Sequence, residues 1–171
     1  MLEKGDVMSK TEQNLKEAFS GESQASLRYW AFAEKADAEG FVGAAKLFRA
    51  AARAEAVHAL NHLRAMNAVR STKENLEAAV DGECFEFKEM YPAMVKDAVA
   101  ENEIDARHSL EYAMSIEMIH HKLFQKALES ENENASASFY VCPVCGHTVR
   151  DKVPKKCPYC GADGAKFIET A

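Results

Sequence analysis

Leu110-Glu-Tyr-Ala-Met114-Ser-Ile-Glu117-Met-Ile-His120-His-Lys-Leu-Phe124 is the stretch that decides the fold. Leu110, Glu117 and Phe124 recur at spacings of seven and Met114 lies three before Glu117, so on a helix the acid falls on the apolar stripe rather than the wet face. The spacing predicts a helix from about Ile104 to Glu129 with an inward carboxylate. The same Glu-x-x-His motif recurs as Glu55-Ala-Val-His58, with Glu55 seven residues after Phe48. With 20 Glu and six His in 171 residues, about 0.7 such matches arise by chance, so the placement carries the weight and not the motif.

Working outward, Leu, Ala, Glu, Lys and Met recur at three- and four-residue spacings from Ser9 to Glu131, while β-branched residues and Gly are sparse. This predicts long helices and an all-α region. Ser9 with Glu12 reads as a capping box, Gly40 as a stop, and Phe41 as the start of a second run to about Met66. Ser71 with Glu74 caps a short connecting helix. Asp81 is expected to cap a third helix that runs to Asn102, which tolerates a left-handed turn. Two antiparallel hairpins, and so a four-helix bundle over residues 1–130, follow.

Two further acids repeat the inward placement. Glu22 shares a row with Leu15, Phe19 and Tyr29, and Glu86 lies four before Met90 and three after Glu83. Glu22 is 18 residues before Gly40 and Glu55 is 15 after it; Glu86 is 16 before Asn102 and Glu117 is 15 after it. At about 1.5 Å per residue these four acids are expected at one height of the bundle. Burying them unpartnered costs roughly several kcal/mol each, so a cationic partner is required. Lys and Arg do not recur on these stripes; His does, and Glu with His is the ligand set for a pair of divalent or trivalent metal ions. His62 and His108 read as ordinary surface or core histidines. His121 adjoins His120, and the choice of His120 rests on the parallel with Glu55 and His58. Tyr29 and Tyr91 read as core aromatics whose hydroxyls lie near the metals, with a direct chemical role as the alternative.

The text changes at Glu129. Residues 131–138 are small, polar and charged, a linker composition. The last 33 residues, 139–171, hold three of the four prolines and four of the five cysteines, and form a separate unit. Cys142-Pro-Val-Cys145-Gly146 and Cys157-Pro-Tyr-Cys160-Gly161 are two copies of one turn, each aiming two thiolates at one ion. A tetrahedral S₄ site suits either Zn²⁺ or iron, and in so small a module the metal bonds supply folding free energy. Disulfides are disfavoured by the reducing compartment expected below. Cys84 stands alone on the third helix as a small side chain, with a redox role as the alternative.

The overall composition, 47% hydrophobic and 28% charged, is that of an ordinary globular protein. A net charge of −6 argues against a nucleic-acid surface. Charges throughout the first thirty residues and no long apolar run lead us to expect neither a membrane span nor a secretory signal, hence a cytoplasmic protein.

Taken together, Gly21-Glu22-Ser23-Gln24-Ala25, the two Glu-x-x-His motifs, Gly82-Glu83-x-x-Glu86 with Glu89-Met-Tyr-Pro92, and the two cysteine knuckles resemble the rubrerythrin family over nearly the whole chain. The resemblance implies a ferritin-like di-iron four-helix bundle joined to a rubredoxin-like domain. It implies three iron ions per chain: a di-iron pair held by Glu22, Glu55, Glu83, Glu86, Glu117 and His120, with His58 the ligand that one iron gains on reduction as it leaves Glu86, and one iron held by Cys142, Cys145, Cys157 and Cys160. The implied activity is reduction of hydrogen peroxide to water, with electrons fed from the rubredoxin-like iron and ultimately from an external donor such as a rubredoxin or an NAD(P)H-dependent reductase, protecting the cell from oxidative stress. The pattern departs mildly at Cys84 and Asn102, neither of which removes a ligand.

Glu117 lies about 12 residues, or roughly 18 Å, from the end of its helix, so the cysteine module is expected to begin far from its own di-iron ligands and to serve a second chain in a head-to-tail homodimer. Two rival functions share these features: a ferroxidase, and a non-enzymatic zinc ribbon on a helical bundle that binds a protein partner.

Overall fold

The computed structural model describes residues 9–130 and 135–170, and the chain divides into two compact units, residues 1–70 and 71–171. The first unit is an antiparallel hairpin of α1 (Lys10–Ala38) and α2 (Val42–Ala65). Ser9 Oγ accepts the Glu12 backbone N–H at 3.1 Å, satisfying one of the unpaired donors of the first turn. At the other end Gly40 adopts φ +80°, and the Phe41 N–H reaches back to the Ala36 carbonyl at 2.8 Å, a left-handed closure that a side chain would strain.

Small residues set the spacing of this hairpin. Ala45, Ala52 and Ala59 of α2, seven apart, are 0%, 0% and 6% exposed, and Ala33 and Ala36 are buried on α1. The helices approach closely enough for Ser26 Oγ–H to donate to the Ala52 carbonyl at 2.9 Å. Beside them Tyr29, Phe32 and Phe48 form a ring cluster with centroids 5.5 to 6.2 Å apart.

In the second unit, α3 (Thr72–Phe85), a π-helical turn (Glu86–Met90) and α4 (Tyr91–Ala100) make one unbroken rod that packs on α5 (Ile104–Glu129). The capping box at Ser71 is complete: Ser71 Oγ accepts from the Glu74 N–H at 3.3 Å and Glu74 Oε2 from the Ser71 N–H at 3.2 Å. The expected break at Asp81 is corrected: Asp81 lies inside α3. An interior Gly82 costs about 1 kcal/mol of helix propensity, which packing along α5 overrides.

The π turn has a local cause. Pro92 has no N–H, and in a regular helix its ring would clash with the carbonyl four residues back. The chain widens instead, and the Tyr91 N–H donates to the Glu86 carbonyl, five residues back. Asn102 takes the left-handed turn expected of it, with φ +59°, and the Glu103 N–H closes onto the Ala98 carbonyl at 3.0 Å.

Of the expected linker 131–138, residues 131–134 lie outside the described residues. The cysteine module follows as a three-stranded antiparallel sheet of β1 (Phe139–Val141), β2 (Thr148–Arg150) and β3 (Ile168–Thr170), in the order β2-β1-β3. Tyr140 of the central strand pairs with Val149 and with Glu169. Among the described residues no helix is long and apolar enough to cross a membrane.

Candidate metal centres

The knuckles fold as their repeated sequence predicts. Gly146 and Gly161 adopt φ +78° and +74°; their N–H groups donate to the Cys142 and Cys157 carbonyls, each at 2.9 Å. The Cys142 N–H donates to the His147 carbonyl and the Cys157 N–H to the Ala162 carbonyl. The four sulfurs converge within 4.8 Å, with Cys142 to Cys160 at 3.6 Å and Cys145 to Cys157 at 3.5 Å. A tetrahedron with metal–sulfur bonds of about 2.3 Å has edges of about 3.8 Å, so the cage fits a four-coordinate ion.

The thiols are also electrostatically suited to one. Burial raises Cys142, but N–H groups of Val144 and Cys145, and then neighbouring thiols, outweigh it and bring the group down to about 7. Burial pushes Cys145 and Cys160 up. Cys142 ionises readily while Cys145 and Cys160 hold their protons, so a bound cation would displace those protons.

On the helices, two carboxylate–histidine clusters form, one in each unit. In the first hairpin, His58 Nδ1 lies 2.8 Å from Glu55 Oε2 and 3.9 Å from Glu22 Oε1. Glu22 and Glu55 are half-buried and His58 is exposed. In the second unit, His120 Nδ1 lies 2.8 Å from Glu117 Oε2 and 3.7 Å from Glu83 Oε1, all three half-buried. Both Glu-x-x-His motifs thus bring their own acid and imidazole together.

The second cluster is short of positive charge. Burial first, then proton sharing with Glu117 and the negative charges of Glu117 and Glu86, push Glu83 up to about 8. Its Oε2 is buried and has no hydrogen-bond partner among the described residues. Such a group keeps a proton or takes a cation. Glu86, at the start of the π turn, stands outside the three converging ligands but senses them: burial and then the Glu117 charge raise its pKa, offset in part by His120. The Tyr91 phenol is raised by burial and by Glu117, Glu86 and Glu83, which puts it beside this cluster. Tyr29 packs instead in the aromatic cluster of the first hairpin. His121 turns away, its Nδ1 3.0 Å from the Val80 carbonyl and its ring edge-on to Phe87.

One functional contact escaped the sequence. Thr148 Oγ1–H donates to the Gly146 carbonyl at 3.0 Å, so this oxygen accepts from His120 Nε2–H at 2.9 Å. That fixes the tautomer and leaves Nδ1 unprotonated, its lone pair free for a metal ion, on the side of Glu117 and Glu83. The expectation that the cysteine module begins far from its own chain's ligands is corrected by the same contact. The chain doubles back along α5, and Ile116, Glu117 and His120 share a cleft of about 470 Å³ with Val144, Cys145 and Gly146. Helix length alone said nothing of this return.

Comparison with known proteins agrees with these features. The family description Rubrerythrin matches residues 13–128, and Rubrerythrin, rubredoxin-like domain matches residues 140–168. The chain is 36% identical to Rubrerythrin-2 of Clostridium acetobutylicum, over 90% of this chain and 92% of that one. It is 30% identical to nigerythrin of Nitratidesulfovibrio vulgaris, over 90% and 83%. Among solved structures, fully reduced, all-ferrous nigerythrin is similar with a TM-score of 0.58 at 28% identity, covering 99% of this chain and 92% of the other. With a four-cysteine knuckle, two carboxylate–histidine clusters and both domain matches, this chain belongs to the rubrerythrin family.

Proposed function

We propose that this chain is a peroxidase that reduces hydrogen peroxide to two molecules of water, taking up two electrons and two protons for each O–O bond broken. The observation that supports this reading is the placement of Cys145 and Gly146 in one cleft with Glu117 and His120, a four-cysteine knuckle against a carboxylate–histidine cluster within one unit. The residues that would hold the metals are Glu22, Glu55, His58, Glu83, Glu86, Glu117 and His120 for an iron pair, and Cys142, Cys145, Cys157 and Cys160 for a third iron. A carboxylate-held ferrous pair supplies two electrons together, and a thiolate-held iron replaces them one at a time with little ligand movement.

The chain's own groups serve the rest. The carboxylates neutralise the bound cations, and the bare Nδ1 of His120 is held toward them by Thr148. Tyr91, its pKa raised by burial and by three acids, stays a phenol at neutral pH and is a hydrogen-bond donor to an oxygen species at the site. An external donor, a rubredoxin or an NAD(P)H-dependent reductase, restores the electrons. A cytoplasmic setting, protection against oxidative stress and assembly as a homodimer or higher homo-oligomer belong to the same proposal.

The test is anaerobic. The iron-loaded chain is reduced until its thiolate colour bleaches, then given one equivalent of hydrogen peroxide or an air-saturated buffer. Fast return of colour with peroxide and slow return with O₂ is the expected result; slow return with peroxide turns the assignment toward a ferroxidase, and no colour at all toward a zinc-bearing interaction module.

A further inference from the structure

The two knuckles are related by a shift of fifteen residues, and the repeat is close in the backbone: glycine conformations, turn hydrogen bonds and the cysteine N–H contacts all correspond. Side chains break it at two pairs, Val144 against Tyr159 and His147 against Ala162, and the second sets an apolar side chain against one that can donate a hydrogen bond to sulfur. Where the second knuckle has Ala162, the first has His147.

His147 is 8% exposed, and its Nδ1 lies 3.7 Å from Cys157 Sγ of the opposite knuckle. Its ring is fixed edge-on between Tyr159, at 4.9 Å and 65°, and Phe167, at 6.0 Å and 80°. Its backbone is committed as well, since its carbonyl accepts the Cys142 N–H at 3.0 Å. The imidazole therefore has little freedom to leave the sulfur. Backbone N–H groups also reach sulfurs of the cage: Val144 and Cys145 on Cys142, His147 on Cys145, and Ala162 on Cys160.

We propose that His147 is a redox-tuning residue, its Nδ1–H donating to Cys157 Sγ so as to favour the reduced form of the four-cysteine iron. Reduction adds one electron to the iron and so one negative charge spread over the sulfurs, and a donor aimed at a thiolate stabilises the more negative state. The pseudo-symmetric position, Ala162, has no such donor, so the two halves of the cage hold the added charge unequally. This rests on iron in the cysteine site and not on peroxide as the substrate.

The experiment uses the iron-loaded full chain and reads the midpoint potential of the thiolate colour in an anaerobic titration without peroxide. His147→Phe keeps the ring packing against Tyr159 and Phe167 and removes the donor. The expected outcome is a reduction equilibrium shifted roughly threefold to tenfold toward the oxidised form, or about 30 to 60 mV lower at 59 mV per tenfold for one electron. An unchanged or raised potential overturns the proposal. A second measurement does not depend on the variant folding: in the zinc-loaded wild-type chain, nitrogen-resolved magnetic resonance should find the His147 proton on Nδ1 and protected from exchange. A proton on Nε2 with Nδ1 bare overturns it. Failure of the peroxide test leaves both readouts intact, so the two claims are separable.

Discussion

His120 of α5 and Thr148 of β2, 28 residues apart, meet at 2.9 Å and tie the carboxylate–histidine cluster to the cysteine module. Thr148→Val keeps the shape and deletes the hydroxyl. Outer partners of metal-bound histidines are commonly worth about tenfold or more in affinity, so ferrous or cobaltous ion should bind the helical site about tenfold more weakly in a metal titration. The thiolate colour should be unchanged, and Thr148→Ser should restore most of the affinity.

Glu83 sets a pH dependence. In the metal-free chain its carboxyl is raised from 4.5 to about 8. A raised pKa means the folded state holds the proton more tightly, so the stabilisation is complete below about 4.5 and is lost as pH rises toward 8. The thermal midpoint of chelated protein should therefore fall from pH 5 to pH 8, and Glu83→Gln should flatten that slope. Loading metal near neutrality should release protons into a weakly buffered solution, measurably fewer in the variant.

Much of this was legible because the signals are local. Gly40 and Asn102 sit where the chain needs a left-handed residue, Ser71 and Glu74 bond each other, and each Glu-x-x-His brings an acid and an imidazole onto one helix face. The cysteine turns repeat the same Cys-Pro-x-Cys-Gly pattern. Asp81 misled because Asp-Gly resembles a helix start, while the packing that carries α3 through it comes from α5, far along the sequence. The roles of Thr148 and His147 were invisible for the same reason: each depends on a chain reversal, and nothing in the surrounding residues marks it.

The first hairpin should resist enlargement at its small residues. Ala52 is wholly buried and its carbonyl accepts from Ser26, so Ala52→Leu should cost about 1 to 3 kcal/mol or more in denaturant unfolding. The same change at exposed Ala50 should be nearly neutral.

Asn102 holds φ +59° at the turn into α5. Asn102→Gly should raise stability by up to about 1 kcal/mol, since Gly meets no steric penalty there, whereas Asn102→Ala should lower it by about 1 kcal/mol. Chemical denaturation of the two variants side by side reads both signs.

The widened turn at Glu86–Met90 makes the rod two screws of equal pitch, cut out of phase and welded. Each ordinary helical residue turns the chain by about 100°. The weld lets Glu83 and Glu86 be aimed on the upstream thread while the apolar side chains of α4 keep their own bearing downstream. Removing one residue from the weld would bring the threads into step, and one half or the other would then swing by about a quarter turn.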